Sequence, residues 1–137
     1  MDPASAATAL IASYYAHFNA QEWDGMTALL TEDVAHDINQ GGREVGRDTF
    51  RTFLARMERS YRERLTGIRI CASADGSHAA AEYVVHGEYL ATDEGLPPAA
   101  GQRYLLPGGA FFDIHDGRIS RVSNAYNLQD WLRQIGA

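Results

Sequence analysis

Between residues 4 and 19 the apolar side chains Leu10, Ile11, Tyr14 and Phe18 recur at three- and four-residue spacings, which sets them on one stripe of a helix that must be buried. Asp24 then stands ahead of Met26, Leu29 and Leu30 as the N-cap of a short second helix. A strand is predicted over residues 34–40 and is stopped by Gly41-Gly42, after which Phe50, Phe53, Leu54 and Met57 mark a further helix. From Leu65 onward β-branched and aromatic residues cluster at 68–70, 83–89, 104–106, 110–114 and 119–126, with hairpin turns at Asp75-Gly76 and Asp116-Gly117. Residues 91–102 hold Gly95, Pro97, Pro98 and Gly101, which deny ladder hydrogen bonds and predict a longer connection positioned to act as a lid. A short helix over residues 128–135, carrying Trp131, completes the order ααβαββββα.

Helices gathered at the front and strands behind them imply an α+β fold in which a curved antiparallel sheet wraps around the N-terminal helices as a cone. The concave face and the helices then enclose a pocket, and the convex face meets solvent or a second subunit, so a homodimer through the sheet is expected. At 137 residues and 45% hydrophobic the chain suits one domain spanning 1–137.

A net charge of −6 opposes binding to nucleic acid or anionic lipid. All twelve basic residues under Lys+Arg are arginines, so Schiff-base chemistry by a side-chain amine is excluded. Cys71 is the single cysteine, and the chain start lacks a secretory pattern, which together predict a cytoplasmic protein with no membrane span. His17, His78, His86 and His115 fall in different elements without ligand spacing, so no metal is expected. His86 alternates with Val85 and Tyr89 in a way that sends it to the convex face.

Candidate chemistry concentrates in His36-Asp37-Ile38-Asn39-Gln40-Gly41-Gly42. A strand alternates its faces, so either His36 and Gln40 or Asp37 and Asn39 point inward, and a bulge would admit both pairs. The same residues also admit a structural reading: a His36–Asp37 pair, Asn39 as a turn cap, and Tyr14 as a buried tyrosine bonded to the backbone.

Several segments carry a resemblance that covers nearly the whole chain. They are Ser13-Tyr14-Tyr15-Ala16-His17-Phe18-Asn19-Ala20-Gln21-Glu22-Trp23-Asp24-Gly25, the strand over 33–37, Gly46-Arg47-Asp48-Thr49-Phe50-Arg51-Thr52-Phe53, and Asp116-Gly117-Arg118-Ile119 running to Tyr126. In their order and spacing the chain resembles the ketosteroid isomerase-like branch of the nuclear transport factor 2-like superfamily, a cystatin-like cone that also includes SnoaL-type polyketide cyclases. The resemblance implies a deep pocket, frequent dimerisation through the sheet, and proton transfer α to a carbonyl by an aspartate, with a tyrosine and a protonated acid stabilising the enolate oxygen. Tyr14 lines up with that tyrosine. Asp37 lines up with the base if one residue is deleted before the strand, and Ile38 does otherwise. The second acid falls at Gly108 or Gly109, where glycine offers no side chain, and exposed backbone amides or Asn124 are the substitutes. Tyr126, Phe53 and Phe111 match apolar or aromatic pocket positions.

The expected activity is a cofactor-independent isomerase or cyclase step on a small apolar ligand bearing a carbonyl or hydroxyl. Tyr14 donates a hydrogen bond to the ligand oxygen, and Asp37 or His36 takes the proton. Phe18, Phe53, Leu54, Phe111 and Tyr126 supply the wall, with Asn124 beside them. The rivals are water activation by His36 and Asp37 in a hydrolase or dehydratase, and a non-catalytic binding or accessory domain.

Overall fold

The computed structural model describes residues 1–39 and 41–137. The chain opens with α1 (Pro3–Asn19), whose first turn is fixed by the Asp2 carboxylate accepting from Ser5 N at 2.8 Å and by Pro3 at the first helical position. There follow α2 (Trp23–Thr27), β1 (Leu30–Asp37), β2 (Arg43–Val45), α3 (Arg47–Ser60), β3 (Tyr61–Ala72), β4 (His78–Tyr89), β5 (Gln102–His115), β6 (Arg118–Tyr126) and α4 (Leu128–Ile135). All six strands form one curved, unclosed sheet in the order β2-β1-β6-β5-β4-β3. The α+β arrangement is therefore as expected, with three differences of detail.

β2 is an additional strand, three residues long, too short for a period-two pattern to announce it. β1 and β6 pair in parallel, so the sheet is antiparallel at every junction but that one. The clusters at 104–106 and 110–114 are one strand, because Pro107-Gly108-Gly109 continues the ladder opposite Val84, Tyr83 and Glu82.

Alternation decides which side chains reach the interior. On β5 Tyr104, Leu106, Ala110 and Phe112 are buried, whereas Leu105 and Phe111 stand exposed on the outer face. On β3 Tyr61 and Leu65 point inward with Glu63 between them. A bulge between Thr66 and Arg69, at Gly67 with φ 63°, then resets the parity so that Ile68 and Ile70 pack on the core. α1 lies across the concave face with Ile11, Tyr14 and Tyr15 buried, and Tyr14 meets Phe112 edge-on at 5.6 Å between ring centroids. The 91–101 connection is tied down: the Tyr89 hydroxyl donates to Pro97 O at 2.6 Å and accepts from Asp93 N at 2.9 Å. No helix among the described residues is long and apolar enough to cross a membrane.

Candidate functional site

The helices and the concave face enclose a cavity of about 330 Å³. Of the residues singled out from the sequence, it brings together Tyr14, His36, Asn124 and Tyr126 with the apolar side chains of Phe18, Phe53 and Leu54. Asp93 and Leu96 from the 91–101 connection also reach it.

β1 turns His36 inward, where it is only 2% exposed and packed between the rings of Phe50 and Phe53 at 4.6 and 4.7 Å. Its Nε2 lies 3.2 Å from the side-chain amide of Asn124 on β6, and its Nδ1 is buried with no hydrogen-bond partner among the described residues. If the amide nitrogen donates to Nε2, the imidazole proton sits on Nδ1. If the amide is turned over, Nε2–H donates to its oxygen and Nδ1 keeps a free lone pair. Burial depresses the imidazole to about 4, against a small opposing pull from Asp37. His36 is thus neutral at physiological pH, with the basicity of an ordinary carboxylate.

The depression has a consequence for stability. The unfolded chain takes up a proton at His36 near the ordinary imidazole value of 6.5, whereas the folded protein does so only near 4. This contribution is intact above the higher value and fades as pH falls through that window, reaching a loss of about 3 kcal/mol at the lower end. Denaturant titrations at neutral and acid pH are expected to show this loss in the wild type and its absence in His36→Gln.

Asp37 faces the other way, and its expected place in the pocket is corrected. Its carboxylate accepts from Arg43 Nε and Nη2 at 2.6 and 3.0 Å, and Arg121 Nη1 approaches to 3.6 Å. The Arg43 hydrogen bonds, and then Arg121, hold it below the usual carboxylate range. Arg121 also donates to Asp113, which contacts His78, so Asp37 belongs to an ion-pair network on the outer face. Strand parity is the physical reason: with His36 turned inward, its neighbour must turn outward. The water-activating His36–Asp37 pair loses its geometry with it.

Phe111 is the second correction, being 52% exposed on the outer face while Phe112 faces inward. Asn39 sits in the turn after β1 and lines the cavity, and its Oδ1 accepts from Tyr126 N at 3.0 Å, a bond across to the end of β6 in place of the local turn cap expected. Gln40 lies outside the described residues. Gly108 lines the cavity, but its face is covered, since a Cβ there would come within 2.9 Å of Tyr83 Cε1. Burial pushes the Tyr14 hydroxyl well above the ordinary phenol range, which keeps it a neutral donor.

The sequence reading missed Glu63. It lines the cavity, and its Oε2 accepts a short hydrogen bond from the Tyr104 hydroxyl. Burial raises its carboxyl, opposed by that hydrogen bond. The signal was available in Tyr61-Arg62-Glu63-Arg64-Leu65, where Glu63 shares its parity with two apolar residues while the arginines take the exposed face. It was hidden because the strand begins directly after α3, with no turn residue to announce it.

The model of a family described as SnoaL-like domain matches residues 11–122. Among solved structures, a candidate polyketide cyclase from Xanthomonas campestris pv. campestris is 56% identical, with a TM-score of 0.97 over 98% of this chain and 100% of that one. A second, from Pseudomonas putida KT2440, is 58% identical with a TM-score of 0.94 over 95% and 98%. A candidate ketosteroid isomerase from Kribbella flavida is 26% identical, with a TM-score of 0.68 over 93% and 82%. No curated protein matches the chain. A family match over most of the chain, together with solved structures alike from end to end, establishes that this protein belongs to the SnoaL-like domain family of the nuclear transport factor 2-like superfamily.

Proposed function

We propose that the protein is a cofactor-independent isomerase or cyclase that moves a proton on a small, largely apolar ligand carrying a carbonyl. One observation carries the reading: Tyr14 from α1 and His36 from β1 line the same apolar cavity, one a neutral donor and the other a neutral base. The ligand oxygen accepts from the Tyr14 hydroxyl, and His36 takes the proton from the adjacent carbon through Nδ1, left free when Nε2–H bonds Asn124, once the ring turns this buried atom toward the ligand. The carbon–hydrogen electron pair moves into the carbonyl as an enolate, which Tyr14 stabilises. Return of the proton to another carbon gives an isomer, and attack of the enolate carbon on a second carbonyl closes a ring. The family and the relatives named polyketide cyclase and ketosteroid isomerase support this class of step.

The test is deuterium incorporation from heavy water into a conjugated cyclohexenone, followed by NMR. The wild type is expected to exchange the α- and γ-protons, Tyr14→Phe to lose about 10²–10³ in rate, and Asp37→Asn to stay within a few-fold. Affinity without exchange above buffer would mean a passive binding domain and end the catalytic reading.

The same reading includes a second copy of the chain on the outer sheet face, in a cytoplasmic protein. Val45, Leu105 and Phe111 stand 59%, 55% and 52% exposed there, apolar surface that a symmetric partner would cover. Analytical ultracentrifugation is expected to find a dimer that Phe111→Arg converts to a folded monomer, and a monomeric wild type would refute it.

A further inference from the structure

Glu63 is a carboxyl among aromatic rings, and among the described residues no cation pairs with it, Arg56 being the one arginine that lines the same cavity. The titratable groups around it are the phenols of Tyr61 on its own strand, Tyr83 on β4, Tyr104 on β5 and Tyr126 on β6, and beyond Tyr61 the carboxylate of Asp93, which accepts from the Tyr61 hydroxyl and lines the same cavity. Arg62 and Arg64, its sequence neighbours, point to the exposed face of β3. Trp131 of α4 closes the group, its ring 5.8 Å from Tyr61, 6.0 Å from Tyr104 and 6.4 Å from Tyr126.

The orientation of the carboxyl is built in. Tyr104 pairs across the strands with Gly87 and lies directly over it, since a Cβ at 87 would fall 2.1 Å from Tyr104 Cε2. The missing side chain lets the ring lie flat on β4 and bring its hydroxyl to Glu63 Oε2. With Oε2 engaged by Tyr104, Oε1 has no hydrogen-bond partner among the described residues, and Glu63 lines the cavity from a strand separated from that of His36 by β6, β5 and β4. Burial disfavours a carboxylate whose one partner is the Tyr104 hydroxyl, whereas a neutral acid avoids that cost and gains a proton to donate.

We propose that Glu63, oriented by Tyr104, is a second ligand-binding group of this cavity, a neutral carboxylic acid that donates a hydrogen bond to a second oxygen of the ligand. The ligand class is then a small apolar compound with two carbonyl functions, one on Tyr14 and one on Glu63. This rests on the reading of the cavity as a carbonyl site and narrows it. In such a ligand, ring closure is balanced: a carbon proton passes to His36, the carbanion carbon bonds to the second carbonyl carbon, and that carbonyl's π pair moves to its oxygen, which takes the Glu63 proton. Transfer of the His36 proton back to Glu63 through solvent restores both groups.

Two measurements test it, neither needing turnover, so both remain readable if proton exchange fails. Difference infrared spectra of wild type against Glu63→Gln at neutral pH are expected to contain the carbonyl stretch of a neutral carboxylic acid, and a change in carboxylate bands alone overturns the proposal. The second uses ¹³C-carbonyl 1,4-cyclohexanedione as probe. Two hydrogen-bonded carbonyl bands are expected in the wild type, one lost in Tyr14→Phe and the other in Glu63→Ala. Affinity should fall at least tenfold in Glu63→Ala and hold within a few-fold in the near-isosteric Glu63→Gln, which keeps a neutral donor. Unchanged affinity and bands in Glu63→Ala would reduce Glu63 to a support for Tyr104. Binding of cyclohexanone as tight as that of the dione, or of cyclohexylamine in preference to both, would also overturn the proposal.

Discussion

His36→Gln is expected to lower the rate of α-proton exchange into a bound cyclohexenone by about 10²–10⁴, the range of a lost general base. Glutamine preserves the length of the side chain and an amide able to meet Asn124, so the wall between Phe50 and Phe53 stays filled. What disappears is a lone pair with a conjugate-acid pKa of about 4. The pH profile gives a second readout from the same variant. With the folded imidazole titrating near 4, wild-type exchange should run level through neutral pH and decline only as His36 gains its proton below that value. An acid limb near 6.5 would point to an exposed histidine instead, and equal rates in His36→Gln and wild type would remove His36 from the mechanism. Asp37→Asn, measured beside it, separates the two faces of one strand: the same assay should hardly register it.

That separation marks how far the sequence could be read. The helical stripes of α1 and α3, the turns at Asp75-Gly76 and Asp116-Gly117, and the run of strands follow from periodicity and turn chemistry within a few residues of each other. The inward parity of β1 does not, because both of its faces carry polar groups. Arg43 and Arg121 select the outward side for Asp37, and Arg121 lies more than eighty residues away on β6, a contact no local pattern contains. Glu63 is illegible for a different reason: β3 is entered straight from α3, so no boundary signal marks Tyr61 as the start of its alternation. Tyr14 was legible because a helical stripe states its buried face outright.

Phe112→Ala is expected to destabilise the fold by about 3–5 kcal/mol, the cost of deleting a large aromatic side chain from a closed core. Phe111→Ala, one residue earlier, should cost less than about 1 kcal/mol in the monomer. The two phenylalanines are identical in chemistry and differ in exposure, 1% against 52%, so the contrast measures strand parity alone. The inner ring also braces the site, since it meets Tyr14 at 5.6 Å and Tyr15 at 6.0 Å, both steeply inclined. Its loss should therefore weaken ligand binding even where the protein remains folded. Urea titrations at two protein concentrations complete the argument. The Phe112→Ala loss should be independent of concentration because the cavity forms within one chain, whereas any loss at Phe111 that grows on dilution belongs to the contact between two copies. Equal, concentration-independent losses at both positions would mean that β5 is not in this register, and the inward placement of Tyr104 and Gly108, which follows from the same alternation, would fall with it.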